Sequence, residues 1–148
     1  MKKSSIIILL ALVFLCACAP NEALFASGNG IEVYQVSIRL LSGEMPAAGY
    51  MLVKNNGPAA DKLVGAQADF AGSVMLHQST VDSKDVARML MVPAIEIPAK
   101  GLVELKPGSY HLVFEGLKPG LKVGDIVTLT LQFEQAGSFP MQVSLTDL

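Results

Sequence analysis

The sequence predicts an all-β protein, an antiparallel sandwich with Greek-key connections. Three observations carry this. Runs of four to ten β-rich residues recur at short intervals, turn signals built on Gly and Pro separate them, and no long amphipathic helical pattern interrupts the series. At 148 residues the chain has the length of one domain, and its 51% hydrophobic content is inflated by the first twenty residues.

Those first residues read as an export signal. Lys2 and Lys3 precede an unbroken apolar run from Ile6 to Leu15, followed by the small residues around Cys16, Ala17 and Cys18. The run is well short of the ~20 residues that a helix needs to cross a bilayer. Leu15-Cys16-Ala17-Cys18 resembles a bacterial lipobox, in which cleavage precedes a lipid-modified cysteine. The expected division is therefore a signal peptide over 1–17, a tether over 18–30 with Cys18 as the lipidated first residue, and a β-sandwich domain over 31–148. A protein anchored in this way is exported to the periplasm and held on a bacterial membrane. Ordinary cleavage near Ala26 would instead leave a soluble periplasmic protein.

Asn21 to Gly30 is polar and glycine-bearing, as a tether should be. Strands are expected at 31–40, 49–54, 62–66, 74–81, 87–92, 102–105, 110–115, 126–134 and 139–145. Breaks at Asn56-Gly57-Pro58, Lys106-Pro107-Gly108, Lys118-Pro119-Gly120 and Ala136-Gly137 punctuate them. Alternation is clearest over 126–134, where Val127, Leu129, Leu131 and Phe133 share one face and Thr128, Thr130, Gln132 and Glu134 the other. A helical turn is allowed over 82–88.

Charge and chemistry exclude several classes. Without Lys2 and Lys3, nine basic residues face thirteen acidic ones, a formal net charge of −4. Nucleic acid is therefore not the expected partner. No cysteine pair remains for a disulfide after Cys18, and a blue-copper site would need a thiolate that the domain lacks. The carboxylates form no evident pair, and neither a nucleophilic triad nor a phosphate loop is legible, so an enzyme is not expected.

The only histidines are His77 and His111, and both fall within expected strands. Met75-Leu76-His77 sets a thioether and an imidazole two residues apart, hence on one strand face, and Met89-Leu90-Met91 repeats the spacing with two thioethers. Imidazole nitrogen and thioether sulfur are the donors that a soft ion prefers. Methionine is also a common core filler, so spacing alone leaves a metal site and a packed core both open.

The stretch from Ala94 to Val113, including Pro98-Ala99-Lys100-Gly101 and Lys106-Pro107-Gly108-Ser109-Tyr110-His111, resembles the periplasmic copper chaperone family called PCuAC. So do Gly49-Tyr50-Met51 with Asn55-Asn56-Gly57, and Gly116-Leu117-Lys118 with Val123-Gly124-Asp125. The resemblance spans residues 31–145. It implies a cupredoxin-like or immunoglobulin-like sandwich that holds Cu(I) near its surface. It also implies delivery to the copper subunit of cytochrome c oxidase or to another copper chaperone.

Matched residue by residue, the resemblance makes His77, Met89 and His111 metal ligands, with 21 residues between Met89 and His111. The family's fourth ligand, two residues after His111, is here Val113, and Gln78 stands where a methionine often follows the first histidine. Met75 and Met91 are the candidates to replace the missing sulfur; a three-coordinate site, or zinc or Cu(II) at the histidines, stays open. The competing reading is a lipoprotein interaction module without metal. Burial separates the two: convergence of His77 and His111 beside Met89 favours the metal, and deep, hydrogen-bonded, separate histidines favour packing.

Overall fold

A computed structural model describes residues 23–40, 46–82 and 86–147. Cys18, with the whole signal and the first part of the tether, lies outside the described residues. The described chain forms eleven strands: β1 Leu24–Gly28, β2 Ile31–Arg39, β3 Ala47–Asn55, β4 Asp61–Ala68, β5 Ala71–Val81, β6 Ala87–Met91, β7 Ile95–Ile97, β8 Leu102–Leu105, β9 Tyr110–Leu117, β10 Ile126–Phe133 and β11 Gly137–Thr146.

Hydrogen bonding links them in the order β6-β5-β9-β3-β2-β11-β10-β4-β7, with β1 added to β2 and β8 to β3. Strands distant in the chain are neighbours, as Greek-key connections require. The ribbon closes on itself because each half is apolar on one face. In β10 the buried residues are Val127, Leu129, Leu131 and Phe133, and in β11 they are Phe139, Met141, Val143 and Leu145. They share one core with Val33 and Ile38 of β2, Met51 and Val53 of β3, Leu76 of β5, and Leu112 and Phe114 of β9. Each such side chain contributes about 1.5–3 kcal/mol by leaving water.

The sandwich is as expected from the sequence, with one difference in strand direction. Leu145 and Thr146 pair in parallel with Ile38 and Arg39, and every other described pairing is antiparallel. This two-residue junction is where the two halves of the sandwich meet.

Three local expectations need correction. Part of the stretch read as tether is β1, paired with β2 and contributing Phe25 and Ala26 to the edge of the core. Its hairpin turn is Asn29-Gly30, with φ of 46° and 86°. Positive φ at both central residues is the geometry whose twist matches a two-residue hairpin, and Asn and Gly tolerate it best. The turn therefore nucleates a strand that the polar composition concealed. A short strand, β7, also pairs with β4 between Pro93 and Pro98. Of the 82–88 stretch, Ala87 and Arg88 belong to β6 rather than to a helical turn, and residues 83–85 lie outside the described residues.

Candidate metal centre

Strand β5 lies between β9 on one side and the edge strand β6 on the other. Its register sets His77 directly opposite both His111 and Met91, while Ser79 stands opposite Met89 and Met75 opposite Val113. Directly opposed residues share a sheet face, as do residues two apart along a strand. All six positions singled out in the sequence, His77, Met89, His111, Met75, Met91 and Val113, therefore leave one face of the sheet. Gln78, opposite Leu90 and Tyr110, leaves the other.

Local chemistry aims each side chain. Before β9, Pro107 and Gly108 form the centre of a turn closed by Ser109 N–H donating to the Lys106 carbonyl at 3.1 Å, and Gly108 has φ of 78°. Pro at the second position and positive φ at the third define a type II turn, which Pro and Gly favour. The Ser109 carbonyl then sits 3.0 Å from His111 Nδ1. A carbonyl only accepts, so Nδ1 carries the proton and the imidazole lone pair is left at Nε2. This is the second contact by which proteins commonly fix a metal-binding histidine.

The β5–β6 hairpin is tied by Asp82. Its N–H donates to the Val86 carbonyl at 3.0 Å, its Oδ1 accepts from Val86 N–H at 3.1 Å, and its carboxylate pairs with Arg88 at 3.4 Å. Further along, Val92 N–H donates to the Leu76 carbonyl at 2.9 Å. That makes 76 and 92 a hydrogen-bonded pair, so His77 and Met91 form the adjacent non-hydrogen-bonded pair, whose Cα atoms approach to about 4.5 Å. Met75, by contrast, is two residues from His77 along the strand, nearly 7 Å away in backbone terms. Both are reachable by a long side chain, but Met91 is the nearer.

The imidazole rings of His77 and His111 have centroids 5.8 Å apart at an interplanar angle of 66°. The β3 side is closed by Tyr50, whose ring centre lies 6.4 Å from that of His111 and carries the Arg39 guanidinium at 5.3 Å. Burial is graded across the row. His111 is 5% exposed and His77 half-buried, whereas Met89 and Met91 are 68% and 69% exposed on the edge strand.

His77 Nδ1 is the one described buried side-chain polar atom without a hydrogen-bond partner. An orphaned ring nitrogen costs on the order of 1–3 kcal/mol unless something binds it. Among the described residues no three His, Cys, Asp or Glu side chains gather, so an ion held at this pair would draw its other ligands from the thioethers.

Fold and site together define an all-β sandwich domain with two imidazoles and two thioethers on one sheet face, the histidines covered and the edge-strand methionines open to solvent. The chain belongs to the LpqE-like family, described as lipoproteins, whose family model matches residues 31–145. Lxx21020 of Leifsonia xyli subsp. xyli (strain CTCB07), likewise described as a lipoprotein, is 29% identical over 119 residues, covering 80% of this chain and 71% of that protein. The fold matches the copper-bound PCuAC domain from PmoF2 with a TM-score of 0.70 and 25% identity, covering 85% of this chain and 99% of that one. It also matches the solution structure of CuI-DR1885 from Deinococcus radiodurans with a TM-score of 0.62 and 32% identity, covering 76% and 75%. The fold expected from the PCuAC resemblance is thus the fold found.

Proposed function

We propose that this domain binds one Cu(I) as cargo through His77, His111, Met89 and Met91, and passes it to an acceptor protein outside the cytoplasm. The observation that carries the reading is the unpartnered, buried His77 Nδ1 beside His111, with two exposed thioethers at the open edge. A metal about 2 Å from an imidazole nitrogen stands roughly 3 Å from the ring centre. Two rings 5.8 Å apart are therefore close enough to share one ion. The likeness to a copper-bound PCuAC domain and to CuI-DR1885 supports the same reading.

The donor set favours the monovalent ion. Two neutral imidazoles and two thioethers bring no charge, and a divalent cation in this half-buried place would lack the anionic ligands that offset its desolvation. Thioether sulfur prefers the softer Cu(I). Transfer follows from the graded burial. An acceptor can displace Met89 and Met91 from solvent while the imidazoles keep hold of the ion, so copper leaves through ligand exchange at the β6 edge.

The same reading extends to location. Residues 1–17 are a signal peptide, Cys18 carries the lipid, and residues 19–23 link it to the sandwich; the copper subunit of cytochrome c oxidase, or another copper chaperone, is the receiving partner. The lipoprotein description of the family and of Lxx21020 supports the anchor. Anaerobic titration with Cu(I) against a competing chelator tests the site. One Cu(I) per chain is expected, with His77→Ala and His111→Ala each weakening binding by at least about a hundredfold, ~2.7 kcal/mol. Unchanged affinity in both variants would refute the site.

A further inference from the structure

The described residues include five methionines in three environments. Met51 and Met141 are core residues, 2% and 5% exposed, Met75 is half-buried, and Met89 and Met91 stand out at 68% and 69% on the edge strand β6. We propose that Met89 and Met91 are sites of reversible oxidation to methionine sulfoxide, and that this oxidation switches metal binding off while leaving the fold intact.

The proposal rests on the copper reading for its consequence but on burial for its selectivity. A peroxide transfers one oxygen to the thioether: a sulfur lone pair attacks the O–O bond, an S=O bond forms, and the peroxide leaves as water. Sulfur is oxidised by two electrons and the peroxide is reduced by two. Access governs the rate, so the edge thioethers react before those of Met51 and Met141. Sulfoxidation turns a soft donor into a polar, chiral group whose exposed atom is a hard oxygen. Cu(I) then loses both soft ligands while the imidazoles remain.

Structure also separates a switch from damage. In the core, the new S=O group would be buried without a hydrogen-bond partner, which destabilises the fold. On β6 it points into water, so little folding energy is lost and a methionine sulfoxide reductase can reach it. Bound metal takes one of the two sulfur lone pairs, draws electron density from the other and shields it from the peroxide, so a loaded site is oxidised more slowly.

The test uses purified full-length protein in detergent and Ag(I), a soft monovalent ion that does not redox-cycle with peroxide. Hydrogen peroxide is added to the apo and Ag(I)-loaded protein, and peptide mass spectrometry follows each methionine. Expected are one added oxygen each on Met89 and Met91 ahead of Met51 and Met141, slowing by at least about fivefold with Ag(I), and an unchanged thermal midpoint. Ag(I) affinity should fall by at least about tenfold and return after treatment with methionine sulfoxide reductases. Equal oxidation of Met51 or Met141, or unchanged Ag(I) affinity after selective oxidation of β6, overturns the proposal. If the unoxidised protein takes up neither Ag(I) nor Cu(I), the copper reading has failed and the switch with it, whatever the oxidation pattern.

Discussion

Replacing Met91 by leucine removes one thioether and keeps the bulk of the side chain. The residue is 69% exposed at a sheet edge, so its folding cost should stay within about 0.5 kcal/mol. Its effect on the metal should be larger, because Met91 is the closely spaced cross-strand partner of His77. Loss of one soft ligand is expected to weaken Cu(I) at least about tenfold, or ~1.4 kcal/mol. Met75→Leu is the control, since Met75 stands one row away opposite Val113, and it should leave affinity within about twofold. Val113→Met in the Met91→Leu background then puts a sulfur back on the same face two residues from His111, and should recover most of the loss. The added bulk at the half-buried Val113 should cost under ~1.5 kcal/mol. Chelator competition under anaerobic conditions reads all three proteins, with thermal melts confirming that each is folded. If Met75→Leu weakens Cu(I) and Met91→Leu does not, the fourth sulfur comes from β5 and the placement argued from the register is wrong.

Cys18→Ala should abolish incorporation of labelled fatty acid and release the protein from membranes, whereas Cys16→Ala should leave both unchanged; label retained on the Cys18 variant would exclude Cys18 as the attachment site. Gly49→Ala should destabilise the fold by about 1–3 kcal/mol, because its Cβ would lie 2.8 Å from the fully buried Phe114 ring and 3.2 Å from Leu112 Cβ, and the check is a thermal midpoint lowered by several degrees. The Glu32 carboxyl is held below its ordinary range chiefly by the Tyr34 hydroxyl donating to it at 2.8 Å, then by Asn56 and Lys54. A depressed carboxylate adds stability above its unfolded pKa and loses it as pH falls through the folded value, so Glu32→Gln should flatten the decline in stability below about pH 4.5; an identical pH profile in denaturant titrations would contradict the assignment.

How far the sequence could be read depended on how local each signal was. Alternation over 126–134 marked β10 and its inner face correctly, because period-two burial lies within one strand. Asn29-Gly30 is an equally local signal for a hairpin, yet the polar residues around it outweigh Leu24 and Phe25, so that composition points to a tether where β1 forms. The parallel contact between β2 and β11 carries no local mark at all, since it joins residues more than a hundred positions apart. The candidate site divides in the same way. Spacing placed Met75 with His77 and Met89 with Met91, each pair on one strand face. That β5 lies between β6 and β9, so that His77 meets His111 on one side and Met91 on the other, depends on strand order. Only that order favours Met91 over Met75 as the replacement for the absent sulfur at Val113.

Strand β6 would be an odd edge for an inert sandwich. Edges are normally blunted by charge, proline or cover, because a free apolar strand invites other chains to pair with it. Here every residue of the edge strand is exposed, Met89, Leu90 and Met91 among them, and Arg88 supplies its only charge, already engaged by Asp82. A copper donor must nonetheless present its ligands where an acceptor can replace them. Burying Met89 and Met91 would hold the ion more firmly and close the exit. Exposing the histidines as well would leave nothing to keep the ion in place during exchange. Putting the imidazoles inside, with His111 fixed through the Ser109 carbonyl, and the thioethers on the edge resolves the conflict by strand position alone. On this argument the exposed edge follows from the need for transfer, and charging it, for instance by Leu90→Lys on the face away from the site, should slow delivery to an acceptor while leaving Cu(I) affinity within about twofold. Equal transfer rates from the Leu90→Lys variant and the natural protein, measured by mixing each loaded domain with an apo acceptor, would show that the β6 edge is not the route.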